Sequence, residues 1–329
     1  MVGIFKASNP LNTFLLFIYG LLLKFSFFNN IRLPVIQKTD GFFFRVLIEW
    51  LNKTIASWPF IYPAITYLLL FTQALTFNKL INSQRLIQRS THLPAMSYLL
   101  ITSFFPEWNM LTAALIINTI MIWIWARINK LYNNPNPKTI LFNIGLVIGI
   151  SSFFYFPSLA FSVLIIFALI LYRPFNLAEW IITLLGIVTP FYFLVVWLFL
   201  SDKLTTYELP VVAIAYSKFQ QNYVPLIGIT LLFIAFLTGG YFVEVNFRRQ
   251  VVQVRKSWNL ILFYLILAVI VPFINYTNTH ENWLLVTVPL SAFISCAFLY
   301  PAKRWLPALL HWCMVAFIIV SGYFITYLL

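Results

Sequence analysis

The stretch AEWIITLLGIVTPFYFLVVWLFL, residues 178–200, decides the fold. Glu179 stands at its start, and no further charged side chain follows within it. A helix of this length reaches about 35 Å, enough to cross a hydrocarbon core of about 30 Å. A membrane β-strand needs only about ten residues and alternates polar with apolar side chains, which this stretch does not. Ten other apolar runs of related character lie at about 10–28, 58–78, 93–105, 110–126, 139–156, 158–172, 224–242, 258–274, 283–299 and 306–327. The chain of 329 residues is 62% hydrophobic and only 9% charged, with a mean hydropathy of +0.90. A soluble domain carries roughly a quarter charged residues, so there are too few here to clothe a water-facing surface. The reading is all-α: a polytopic transmembrane helical bundle of about eleven helices, forming a single integral membrane domain over 1–329, with the lipid bilayer as its first partner. The runs at 93–105 and 158–172 are short for a span and are expected as half-helices or as helices tucked inside the bundle.

The segment MVGIFKASNPLNTFLLFIYGLLLKFSFF at the amino end lacks small residues at a cleavage site after its apolar run. It reads as an uncleaved first transmembrane helix rather than a removed signal. Basic residues set the orientation. With the N-terminus inside, the cytoplasmic segments hold Lys6, Lys79, Arg85, Arg89, Arg127, Lys130, Lys138, Arg173, Arg248, Arg249, Arg255, Lys256, Lys303 and Arg304. The outer loops hold Arg32, Lys38, Arg45, Lys53, Lys203 and Lys218. Lys24, near the outer end of the first helix, is expected to snorkel toward the interface. This fourteen-to-six bias predicts a multi-pass protein of a bacterial inner membrane with a cytoplasmic N-terminus. The net charge of +13 then belongs to topology, and no nucleic-acid motif accompanies it. Cys296 and Cys313 fall inside apolar runs without metal spacing and read as membrane filler. His92 and His311 read as structural.

Six of the eight acidic residues, Asp40, Glu49, Glu107, Asp202, Glu208 and Glu281, fall on the outer side of this topology. Between the first two spans, residues 42–53 carry helical periodicity, with Arg45 and Glu49 at i,i+4 on one stripe and Phe, Val, Leu, Ile and Trp elsewhere. That predicts a helix lying in the outer interface. Asp40, just before it, is placed to cap this helix or to act as a general base at the membrane edge. Glu107, in the turn Phe-Phe-Pro106-Glu107-Trp108-Asn109, is placed to sit in the first turn of the next helix or to hold a divalent metal that neutralises a phosphate. The loop Asn275-Tyr-Thr-Asn-Thr-His280-Glu281-Asn282-Trp283 is the most polar short loop in the chain. It reads as a solvated turn or as a phosphate or sugar contact. Arg32 and Lys38 flank Asp40 and read as headgroup anchors or as a diphosphate clamp. Signatures of soluble-type enzymes, such as GxSxG, HExxH, a P-loop or a Rossmann glycine pattern, are missing.

The order of these parts resembles the GT-C class of polytopic glycosyltransferases. That class has a first helix, an outer loop with a carboxylate and an interfacial helix, and a second acidic outer loop between the third and fourth helices. Asp40 with Phe42–Lys53 matches the first acidic element, and Glu107 in its Phe-Pro-Glu-Trp turn matches the second. The acidic pair departs from that pattern: Asp40 is followed by Gly41, and Glu107 has no adjacent acid. The run Tyr-Arg-Pro-Phe-Asn-Leu-Ala-Glu-Trp, residues 172–180, is also similar to an uncharacterised family of Bacteroidota inner-membrane proteins. The GT-C resemblance implies a transferase that takes a sugar from a polyprenyl-phosphate donor on the periplasmic face. Asp40 and Glu107 would be catalytic, with a divalent metal at Glu107 as the one cofactor the resemblance admits. Arg32, Lys38, His280 and Glu281 would bind substrate. A rival expectation is a non-catalytic scaffold or subunit of an envelope, secretion or motility complex, partnered by other membrane proteins. A transporter is disfavoured because the midspans are nearly free of ionisable groups.

Overall fold

The computed structural model describes residues 2–29, 31–37, 39–55, 58–204, 223–274 and 280–328. Among them are fourteen α-helices and no strand. In chain order these are α1 (Val2–Phe5), α2 (Leu11–Leu23), α3 (Phe25–Asn29), α4 (Phe42–Ile55), α5 (Ile61–Ser83), α6 (Leu93–Ile101) and α7 (Ala113–Ile128), followed by α8 (Lys138–Ser151), α9 (Ser162–Tyr172), α10 (Leu177–Leu200), α11 (Tyr223–Phe247), α12 (Val252–Ile270), α13 (Thr287–Leu299) and α14 (Trp305–Leu328). All eleven apolar runs are helical, and the amphipathic segment after the first of them is the separate helix α4.

The lengths depart from expectation. Seven helices are long and apolar enough to cross a membrane: Ile61–Ser83, Ala113–Leu131, Leu177–Leu200, Tyr223–Phe247, Val252–Phe273, Glu281–Leu299 and Trp305–Gly322. Leu11–Leu23, Lys138–Ser151 and Phe156–Tyr172 are shorter. The first two have identifiable causes. The first run breaks at Lys24, whose N–H closes back on Gly20 and Leu22 before α3 restarts. The run at 139–156 stops at Ser151, because the following residues turn to meet the chain at Gly41. α6 has only nine residues, and every one is buried. It is the helix inside the bundle that the shortness of 93–105 suggested.

Small residues set the closest approaches. α8 and α10 meet through Gly145, Gly149 and Gly186, where an added Cβ would lie 2.5 Å from Thr183 O, 2.6 Å from Ile187 O and 2.5 Å from Phe142 O respectively. α11 uses Gly239 in the same way against the Phe293 carbonyl of α13. Such small-residue contacts let backbones pack closely where no hydrophobic force separates helix from lipid. Polar cross-links add specificity inside. Gln73 of α5 donates to Leu115 O at 2.8 Å and accepts from Tyr98 of α6. Asn118 of α7 donates to Leu284 O at 2.9 Å. By contrast α10 exposes Leu184, Leu185, Tyr192, Phe193 and Trp197, as a lipid-facing helix should.

Polar contacts tie neighbouring segments together at the two ends of the helices. At one end His92 N donates to Phe5 O, Trp258 Nε1 to Leu86 O, and Tyr172 shares a hydrogen-bonded group with Asn129 and Ser257. Arg173 and Glu179 form a bidentate ion pair there, with Nη2–Oε1 at 2.7 Å and Nε–Oε2 at 3.2 Å. It is the one ion pair among the described residues. At the other end meet the loops that carry Asp40, Glu107 and Glu281.

Candidate functional site

Asp40 is positioned by a backbone clasp. Residues 40–43 lie antiparallel against 153–155, with Gly41 N donating to Phe154 O at 2.8 Å and Phe43 N to Phe153 O at 3.0 Å. An added Cβ on Gly41 would meet Phe153 O at 2.0 Å, so only glycine allows this approach. The Phe43 ring stands edge-on to Phe153 and Phe154. The second clasp bond also satisfies an N–H in the first turn of α4, which a capping side chain would otherwise take.

Asp40 therefore does not cap that helix. Its Oδ2 turns backward and accepts from Gln37 N at 2.7 Å, while Arg45 Nε donates to the Asp40 carbonyl at 3.0 Å. Burial pushes the Asp40 carboxyl up to about 6, against the opposing pull of the Gln37 N–H and the Arg45 charge. The Tyr155 hydroxyl beside it is buried without a hydrogen-bond partner. Burial and the Asp40 charge both push that phenol up.

Glu281 opens a short 3-10 turn, Glu281–Val286, that leads into α13. It is buried rather than solvated. Its carboxylate lies within electrostatic reach of Asp40 and Glu107 and close to the Gln37 side chain. Gln37 thus holds Asp40 through its backbone N–H and lies beside Glu281. Glu107 lies half-buried in a separate 3-10 turn, Pro106–Asn109, and not in the first turn of α7. That helix is capped by Thr112, whose Oγ1 accepts from Leu115 N. The Glu107 turn is tied to the Glu281 turn: Trp108 Nε1 donates to His280 O at 2.9 Å, and the His280 ring stacks on Phe105.

Asp40, Glu107, His280 and Glu281 therefore gather at one end of the bundle. Arg32 lies in a cleft lined by Phe27, Tyr62, Pro63, Thr66, Pro106, Asn109, Met110 and Leu111, whose wall includes both ends of the Glu107 turn. Lys38 lies outside the described residues. Among the described residues, no three His, Cys, Asp or Glu side chains gather closely enough to hold a metal ion.

Lys24 departs most from expectation. It does not snorkel outward. Its side chain is 2% exposed and turns into the bundle, donating to Thr102 Oγ1 at 3.2 Å and to Asn109 Oδ1. Sequence reasoning also passed over Gln37 and Tyr155. The signal for Lys24 was present: it is the only cation in its apolar run, and an intramembrane lysine is a functional candidate by default. Neutral Gln37 and Tyr155 carried no comparable mark.

The arrangement can hold and pass a proton. A buried carboxyl near 6 lies within electrostatic reach of a second buried carboxyl, at the end of a lipid-facing bundle. The family described as Family of unknown function (DUF6427) matches residues 42–327. No curated protein and no solved structure matches the chain.

Proposed function

The chain belongs to DUF6427, a family of unknown function, and from the site itself we propose a GT-C-like membrane glycosyltransferase that uses a polyprenyl-phosphate-linked sugar. The observation that carries this reading is the meeting of Asp40, Glu107 and Glu281, borne by three separate loops, at one end of the helices. Burying acids together is costly unless they serve a purpose.

In the proposed reaction an acceptor hydroxyl attacks the anomeric carbon, and the bond from that carbon to the donor phosphate oxygen breaks. Asp40 takes the hydroxyl proton, and the phosphate leaves with the bonding electron pair. A single displacement inverts the anomeric centre. A base near 6 is largely ionised at neutral pH and still basic enough to assist. Glu281 and Glu107 would orient the sugar hydroxyls, and His280 and Arg32 would meet phosphate. The excess of basic residues at the opposite end supports a cytoplasmic N-terminus and a periplasmic site in a bacterial inner membrane.

The test is transfer from a short-chain polyprenyl-phosphate sugar in nanodiscs. Asp40→Asn is expected to lower turnover at least a hundredfold without loss of folded protein. Full turnover in both Asp40→Asn and Glu107→Gln would overturn the assignment. The enclosed space of the Arg32 cleft, only about 10 Å³, favours the rival reading of a non-catalytic envelope subunit. That reading predicts stable co-purification with partner membrane proteins and indifference to both substitutions.

A further inference from the structure

We infer that the cleft at Arg32 is a phosphate seat, and that Lys24 is its buried counter-charge. The inference deepens the transfer reading by naming where a phosphate would sit, but it needs no transfer to be true.

Three independent observations meet here. First, Lys24 is a buried lysine with no carboxylate in ion-pair contact among the described residues. Its ammonium has three N–H donors, and two go to the neutral acceptors Thr102 Oγ1 and Asn109 Oδ1. Burying such a charge is costly unless an anion meets it. Second, the Lys24 acceptor Asn109 forms part of the cleft wall, so the ammonium stands directly behind that wall. Asn109 is fixed from both sides, because its Nδ2 donates to Phe105 O at 3.0 Å. Third, Thr66 lines the same cleft, is 2% exposed, and its Oγ1 has no hydrogen-bond partner. A buried hydroxyl without a partner is an open position for a ligand oxygen.

The charges agree in sign. Arg32 lines the cleft with no carboxylate in ion-pair contact among the described residues, and none of the lining residues is acidic. A planar guanidinium at the mouth, a hydroxyl inside and an ammonium behind the wall suit a tetrahedral oxyanion. The surroundings suit a phosphate at the bilayer edge. Phe27, Tyr62, Pro63 and Met110 flank the cleft, and Phe25, Trp58 and Phe60 are exposed on the neighbouring segments. The cleft holds about 10 Å³, room for about one water, so a phosphate cannot enter it whole. The phosphate therefore seats in the mouth against Arg32, with one oxygen reaching inward to Thr66.

The test uses the full chain in phosphatidylcholine nanodiscs, probed with inorganic phosphate and, separately, with a short-chain phosphatidic acid, by native mass spectrometry and thermal unfolding. At least one probe is expected to bind and raise the melting temperature. Lys24→Met and Arg32→Gln are each expected to weaken that binding at least tenfold. Lys24→Met removes a buried charge and is expected to fold at least as stably as the wild type without ligand. Arg32→Gln, at a half-buried position, is the second variant. Binding of phosphatidic acid alone identifies a lipid headgroup as the source, and binding of both probes identifies a phosphate seat open to either. Failure of both probes on the wild type would overturn the inference, as would binding unchanged in both variants. Phosphate binding that persists while glycosyl transfer is absent would sink the transfer reading alone.

Discussion

Gly41→Ala is the sharpest test of how Asp40 is held. The new Cβ would stand 2.0 Å from Phe153 O, 2.4 Å from its carbonyl carbon and 3.0 Å from Phe154 N. Carbon contacts settle at roughly 3.5 Å, so the two backbones must part by about 1.5 Å. The bonds Gly41 N–Phe154 O at 2.8 Å and Phe43 N–Phe153 O at 3.0 Å flank that contact. Opened by this amount, both exceed hydrogen-bond length, at about 4 Å or more. Two lost bonds, with the half-buried carbonyls of Phe153 and Phe154 left partly unsatisfied, cost about 2–4 kcal/mol together. The cost is local, so it should be read as amide hydrogen exchange rather than as a melting temperature. Amides 41 and 43 are expected to exchange roughly thirty to a thousand times faster in Gly41→Ala, measured by mass spectrometry on the peptide around Asp40 in nanodiscs. Wild-type protection at those amides would refute the clasp as the device that positions Asp40.

Asp40→Asn should change how stability depends on pH. The folded carboxyl lies at about 6, above its ordinary 3.8, so its stabilising contribution is complete below about pH 4 and disappears as pH rises through 6. The shift of about two pKa units amounts to about 3 kcal/mol, so Asp40→Asn should be more stable than the wild type at pH 8 by up to that amount. The gap should close near pH 4 in denaturant unfolding. A pH-independent gap between the two proteins would refute the reading. At the opposite end, Glu179→Gln leaves the half-buried Arg173 without its counter-charge and is expected to cost about 3 kcal/mol. The double variant Arg173→Met with Glu179→Leu should recover most of that loss, and additive losses would contradict a coupled pair.

Much of the fold was legible because lipid imposes a simple rule: apolar length reports helices. That rule found every run and, with periodicity, the separate helix α4. It failed on length where the chain bends for reasons held elsewhere. The break at Lys24 depends on Thr102 and Asn109, and the early end of α8 depends on Gly41; neither relation leaves a local trace. The candidate acids were legible through scarcity alone, since a membrane chain keeps few carboxylates without cause. Their neighbour Gln37 is neutral and was invisible on that criterion. Arg173 with Glu179 was more accessible than it looked. Asn176 caps α10 by accepting from Ala178 N, and Asn-x-x-Glu is a helix-start pattern that places Glu179 in the first turn. Lys24 shows the limit of a good rule, because long cations near a helix end usually reach outward, and here two distant side chains turn one inward.

The brevity of α6 also governs how this protein enters its membrane. Nine residues rise only about 14 Å, less than half the hydrocarbon thickness. Such a segment cannot settle across a bilayer alone, since its unpaired backbone ends would face lipid. It must remain sheltered until α5 and α13 close around it. Biogenesis therefore waits on the late arrival of the carboxyl-terminal third, and a chain truncated before α13 is expected to be degraded rather than to persist as a half-bundle.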